Sequence, residues 1–191
     1  MKSYTCFTSF IDVLTPAKAS LLSYSPENRQ YLHSAVTNAL SEIAIKYNGK
    51  LVHRLEERFA CYFPLTSDPK NEKAYQDAIE CSIEQRMRMG PLSLDCMHHI
   101  AIRKVFYRIC ANYEVLHFET NVEEAFDRSV RFEHIDKICS MGIAWDMLVG
   151  DSLYKMIRIF PELQKKFYFR KIGEYQIDPD NQISHPFYIL H

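Results

Sequence analysis

The chain has 191 residues, 47 % hydrophobic and 25 % charged, with a formal net charge of −1. That length suits one domain, residues 1–191, with a proper core and is short for two. The near-neutral balance argues against nucleic acid or an anionic membrane as the main partner, and no apolar run reaches the length of a membrane span. The N-terminus, Met-Lys-Ser-Tyr-Thr-Cys-Phe, lacks a signal peptide's long apolar region. Six scattered cysteines with no Cys-x-x-Cys step, several inside apolar runs, indicate a reduced, cytoplasmic protein.

In chain order, Tyr4 to Leu14 alternates Thr and Ser with Cys, Phe and Ile, a strand pattern that Thr15-Pro16 ends. A short helix is expected over Ala17–Tyr24. Ser25-Pro26 then starts a long helix to about Asn48, with Leu32, Val36, Leu40, Ile43 and Tyr47 on one face and Gly49 as its stop. Leu51–Leu55 and Arg58–Phe63 read as a tight β-hairpin. Asp68-Pro69 opens a helix to about Met89, which Gly90-Pro91 should terminate. His99–Ile109 and Tyr113–Phe118 read as two strands joined by a turn at Ala111-Asn112. A helix over Glu123–Cys139, a strand over Gly142–Val149 carrying Trp145, and a helix over Asp151–Phe160 follow. Two strands close the chain, Phe167–Ile177 and Phe187–Leu190, around the turn-rich Pro179-Asp180-Asn181. This element order is α+β grammar: helices packed on a mainly antiparallel sheet.

The hairpin tip is unusual. It holds Glu56-Glu57 where a turn would favour Gly, Asn or Asp. Such a carboxylate pair is either a solvated turn or a cation site. Asp95, Cys96, His98 and His99 could suggest zinc, yet ligands this close in sequence rarely close a tetrahedron without a distant second pair. No Gly-rich phosphate loop, nucleophile elbow or His-Glu-x-x-His occurs.

The hairpin frame resembles the metal hairpin of class III nucleotide cyclases. That family writes an apolar strand, Lys, two residues, Gly-Asp, then a second strand ending in Phe. Here His53 stands at the Lys place, Glu56 at the Gly, Glu57 at the Asp, and Phe63 closes the strand. Phe10-Ile11-Asp12 resembles the family's other metal-binding element. Met141 to Tyr154 resembles its late strand-then-helix, and Pro186 to Leu190 its closing strand. The resemblance covers nearly the whole chain and rests on element order and register. It implies a cyclase homology domain, ferredoxin-like at its core.

The resemblance also implies a chemistry. The family's cyclases join a nucleoside triphosphate's 3′-oxygen to its own α-phosphate, using two divalent metals held by two carboxylates. By register those are Asp12 and Glu57, with Mg²⁺ or Mn²⁺ as the implied ion, and Mn²⁺ easier to hold because Glu is longer than Asp. Thr15 lies where the phosphate loop would be, but Pro16 removes a backbone donor there. His53 and Ser129 stand at the base-reading places. Asp136 and Ser140 stand where a partner subunit would supply an Asn and an Arg. These departures imply a catalytically degenerate, dimerising or regulatory module that holds a nucleotide weakly. Its partner would be a second copy or a related cyclase domain. The alternative is an active, divergent cyclase using Asp12 and Glu57.

Overall fold

Strand β1 (Lys2–Leu14) is the member on which the sheet is built. In a computed structural model that describes residues 2–14, 25–53, 58–64, 71–100, 106–118, 132–142, 146–176 and 183–191, β1 pairs antiparallel with β3 (Arg58–Pro64) on one side and β4 (Phe106–Phe118) on the other. With β2 (Lys50–His53), helix α1 (Pro26–Lys46) and helix α2 (Glu72–Ile100), they give β-α-β-β-α-β connectivity in the spatial order β2-β3-β1-β4. That is the ferredoxin-like arrangement the sequence led us to expect. The remaining elements are α3 (Phe132–Met141), β5 (Met147–Gly150), α4 (Asp151–Ile157), α5 (Pro161–Lys166), β6 (Phe169–Tyr175) and β7 (His185–Leu190). The last three strands extend the sheet beyond β4 in the order β5-β7-β6. Among the described strands only the β4–β5 contact is parallel.

Alternation along the strands divides the sheet into two faces. Phe59, Cys61 and Phe63 of β3, and Tyr107, Ile109 and Ala111 of β4, belong to a core covered by α1 and α2. The intervening Ala60, Cys110 and Leu148 are buried on the opposite face, where α3 packs against β4, β5 and β1.

Helix α1 starts as expected. The Ser25 side chain accepts from the Asn28 N–H at 3.2 Å, a cap that contributes about 1 kcal/mol. Its C-terminus is a correction. Helical geometry stops at Lys46, and Asn48, not Gly49, takes the left-handed conformation, with φ 59°. The Asn48 N–H bonds the Ile45 carbonyl and the Gly49 N–H bonds the Ala44 carbonyl at 2.8 Å, closing a Schellman motif with Asn in the glycine's usual place. Asp77 of α2 fixes that residue by accepting from the Asn48 side chain while pairing with Lys73. Gly49 serves packing instead: a Cβ there would come 2.5 Å from the Phe63 ring.

Three further expectations are corrected. Gly90-Pro91 does not end α2, which runs 29 residues to Ile100. Proline removes one helical bond, but Met89, Ser93, Cys96 and Ile100 are buried at helical spacing, so tertiary burial carries the helix through. Near the proline, the Tyr107 hydroxyl donates to the Arg86 carbonyl at 2.5 Å. Secondly, Ala111-Asn112 is no turn. β4 is one continuous strand, in register with β1 from Leu14↔Phe106 to Lys2↔Phe118, and His99 and Ile100 belong to α2. Thirdly, Pro161 starts a separate helix, so Asp151–Phe160 is α4 alone ending at Ile157. The expected Ala17–Tyr24 helix, the hairpin tip, Trp145 and the Pro179-Asp180-Asn181 turn lie outside the described residues.

Asn112 explains its own mid-strand position. It is buried, and its Oδ1 accepts from the Leu153 N–H at 3.3 Å. It therefore caps the first turn of α4 from a distance, since Gly150 has no side chain to do so. A Cβ on Gly150 would fall 2.4 Å from the Asn112 amide carbon. Gly150→Ala should cost about 1–3 kcal/mol of unfolding free energy through overpacking. In an Asn112→Ala background the same substitution should cost measurably less, since touching residues couple; urea unfolding of the four proteins reads both numbers.

The α1–α2 seam is held at one end by Glu84, whose Oε2 receives Lys46 Nζ and the Tyr47 hydroxyl, each at 2.6 Å. These bonds, Lys46 first, hold the Glu84 carboxyl below its ordinary pKa. A carboxyl lowered in the folded state stabilises the fold above the ordinary carboxylate range, and that contribution is lost as pH falls through the lowered value. Denaturant unfolding at pH 7 and near pH 3 should therefore show a smaller pH-dependent loss for Glu84→Gln than for the parent.

Candidate functional site

At the end of β1, Asp12 lies directly opposite Arg58 of β3 and Arg108 of β4. Opposed residues of antiparallel strands share a face. The acidic position of the central strand is thus set between two basic ones, in the row beside the one that contains Phe59, Ile11 and Ile109.

Arg108 is half-buried and its Nη1 donates to the Gly142 carbonyl at 3.2 Å. Cationic charge beside the last carbonyls of a helix is favourable, so this bond ties the Asp12 row to the C-terminal end of α3. Ser140 sits at that end. It is exposed, and its hydroxyl donates to the Lys137 carbonyl at 2.6 Å. A hydroxyl engaged with its own helix brings no positive charge to a phosphate. Asp136 lies one turn earlier in α3. His53 ends β2, opposite Phe59, so its row alternates in face with that of Asp12. Thr15, Glu56, Glu57 and Ser129 lie outside the described residues. The structure therefore brings together the Asp12 position, Arg108 and the last turn of α3, and sets His53 in a different row.

Inspection of the sequence missed Arg58 and Arg108. Arg108 is a cation inside an otherwise apolar strand run and Arg58 opens one, which is a signal, but its meaning depends on which strands pair.

Among the described residues no three of His, Cys, Asp and Glu gather to hold an ion, and Asp12 has an arginine on each side in register. Asp95, Cys96, His98 and His99 all lie on the last turns of α2. The described cysteines, Cys61, Cys81, Cys96, Cys110 and Cys139, are buried free thiols. No helix among the described residues is long and apolar enough to cross a membrane.

No protein-family profile matches the chain, and no curated protein sequence does. Solved structures do. The adenylyl cyclase CyaB from P. aeruginosa is 17 % identical, with TM-score 0.79, over 100 % of this chain and 95 % of that one. The guanylate cyclase domain of RhGC from Catenaria anguillulae, solved in complex with GTP, is 13 % identical, with TM-score 0.71, over 100 % and 98 % of the two chains. The non-canonical dimeric guanylyl cyclase domain of the RhoGC fusion protein from the aquatic fungus Blastocladiella emersonii is 12 % identical, with TM-score 0.70, over 100 % and 98 %. At these identities the likeness is one of fold, and it extends over the whole chain.

Removing one of the two cations beside Asp12 should ease the approach of a divalent ion. Arg58→Ser is expected to tighten Mn²⁺ binding roughly tenfold, the order of one unit-charge repulsion at a few ångströms in a polar surrounding. Calorimetric titration of parent and variant with Mn²⁺ measures it.

Proposed function

We propose that this chain, which has the fold of the class III nucleotide cyclase domains, is a non-catalytic member of that architecture: a dimerising, regulatory module of nucleotide signalling. One observation carries the reading. The strand carboxylate at the implied metal position has a guanidinium-bearing residue opposite it on both neighbouring strands. Two basic residues at those register positions oppose a divalent ion electrostatically, so Mg²⁺ or Mn²⁺ is held weakly at Asp12 and Glu57.

The implied partner-supplied groups support the same reading. Removing one donor to developing charge costs about 10²–10³ in rate. With Asp136 at the Asn place and Ser140 at the Arg place, both contributions are missing, and Asp136 adds negative charge where phosphates would lie. Pro16 in place of a phosphate-loop donor works in the same direction. What remains is a scaffold able to pair through its sheet and hairpin faces with a second copy or a related cyclase domain, and to hold a nucleoside triphosphate weakly at their junction.

An assay with Mn²⁺ and each of the four nucleoside triphosphates tests this. No cyclic nucleotide should form. A cyclic product that disappears in Asp12→Asn would overturn the proposal in favour of an active, divergent cyclase.

A further inference from the structure

Helix α2 is apolar on two sides. One side, with Met89, Cys96 and Ile100, is buried in the core. The other carries Ile83, Met87, Pro91 and Leu94 at helical spacing, and there Met87 is 71 % and Leu94 58 % exposed. A solvated helix face is ordinarily polar. This one instead borders an open groove of about 760 Å³ between α1 and α2, on the helix side of the molecule, whose floor includes Ile43, Ile83 and Pro91.

The charges around the groove are unevenly satisfied. Glu84 takes Lys46, and Glu80 takes Lys166. Glu42 on α1 and Arg88 on α2 also line the groove, and neither has an ion-pair or hydrogen-bond partner among the described residues. Their heights match. α1 and α2 run antiparallel, with Lys46 beside Glu84 near one end and Tyr31 beside His99 near the other. Four residues back along α1 and four on along α2 bring Glu42 and Arg88 level with each other, about 6 Å beyond the Lys46–Glu84 pair at 1.5 Å per residue.

We propose that this groove is an interface between two copies of the chain, related by a two-fold axis running along it. That axis lays α1 of each copy over α2 of the other. Glu42 of one then faces the partner's Arg88, and the reciprocal pair forms by symmetry. The exposed Met87 of each copy covers the other's groove. One free acid and one free base, level on opposite walls, are the self-complementary pattern an isologous contact requires. A partner of single-sign charge would leave one of them opposed. The contact lies on the opposite side from the sheet face assigned to pairing above, and stands whether or not that pairing occurs.

Charge reversal gives the test. Glu42→Arg leaves two cations on the groove walls and Arg88→Glu leaves two anions, so neither variant fits itself, but each fits the other. Sedimentation velocity of the full chain should show each variant alone at half the assembly mass of the parent. An equimolar mixture should regain the parent mass, and 1 M salt should weaken that recovery. If sheet-face pairing also occurs, each variant alone stops at the dimer; if it does not, the halving runs from dimer to monomer. Variants that sediment like the parent overturn the proposal, as they would if the groove served a small molecule or a foreign helix. Variants that separate but do not reassemble when mixed overturn it equally.

Discussion

The pairing of β1 with both its neighbours is the constraint from which the rest of the architecture follows. β1 matches β4 along its whole length and β3 over half of it. Because side chains alternate, a slip of one residue would exchange the two faces. The register is fixed by what each face must bury: Phe59 and Ile109 lie beneath the helices, while Cys110 and Leu148 are buried on the other face, where α3 packs. The same register that seals the core also sets Asp12 between Arg58 and Arg108. Core packing and the electrostatics of the candidate site are therefore one decision, taken in the central strand.

The two faces serve different ends. On the helix side, α1 and α2 are locked by buried Asp77 at one level and by Glu84 at another, leaving a groove with an apolar floor. On the sheet side, α3 is the one described helix that packs there, and Arg108 joins its end to the Asp12 row. In register, the acidic position of the central strand stands between two basic ones.

Much of this was legible in the sequence. The first strand, the capped α1, both hairpin strands and the mainly antiparallel sheet all follow from periodicity and caps. The misreadings share a cause: a local signal was overruled by burial. Gly90-Pro91 reads as a helix stop, but the next three turns have core positions at the right spacing. Ala111-Asn112 reads as a turn, but Asn112 is needed in mid-strand as a remote cap for α4, a role no local pattern discloses. At the site, Asp12 could be singled out by its element, whereas the arginines opposite it could not be, since cross-strand partners are far apart in sequence. Thr15, Glu57 and Ser129 belong to segments the structure does not describe, so their roles stay with the proposal.

The Asn48-Gly49 step has one more consequence. Asn-Gly is the dipeptide most prone to spontaneous deamidation, because the glycine nitrogen can attack the asparagine amide and close a five-membered imide. Here that nitrogen is bonded to the Ala44 carbonyl, and the amide is held by the Asp77 carboxylate. The lock that ends α1 thus also withholds both reactants from chemical ageing. Were the amide lost, the acid replacing it would stand against Asp77, so damage at this one bond would loosen the joint between the first helix and the hairpin.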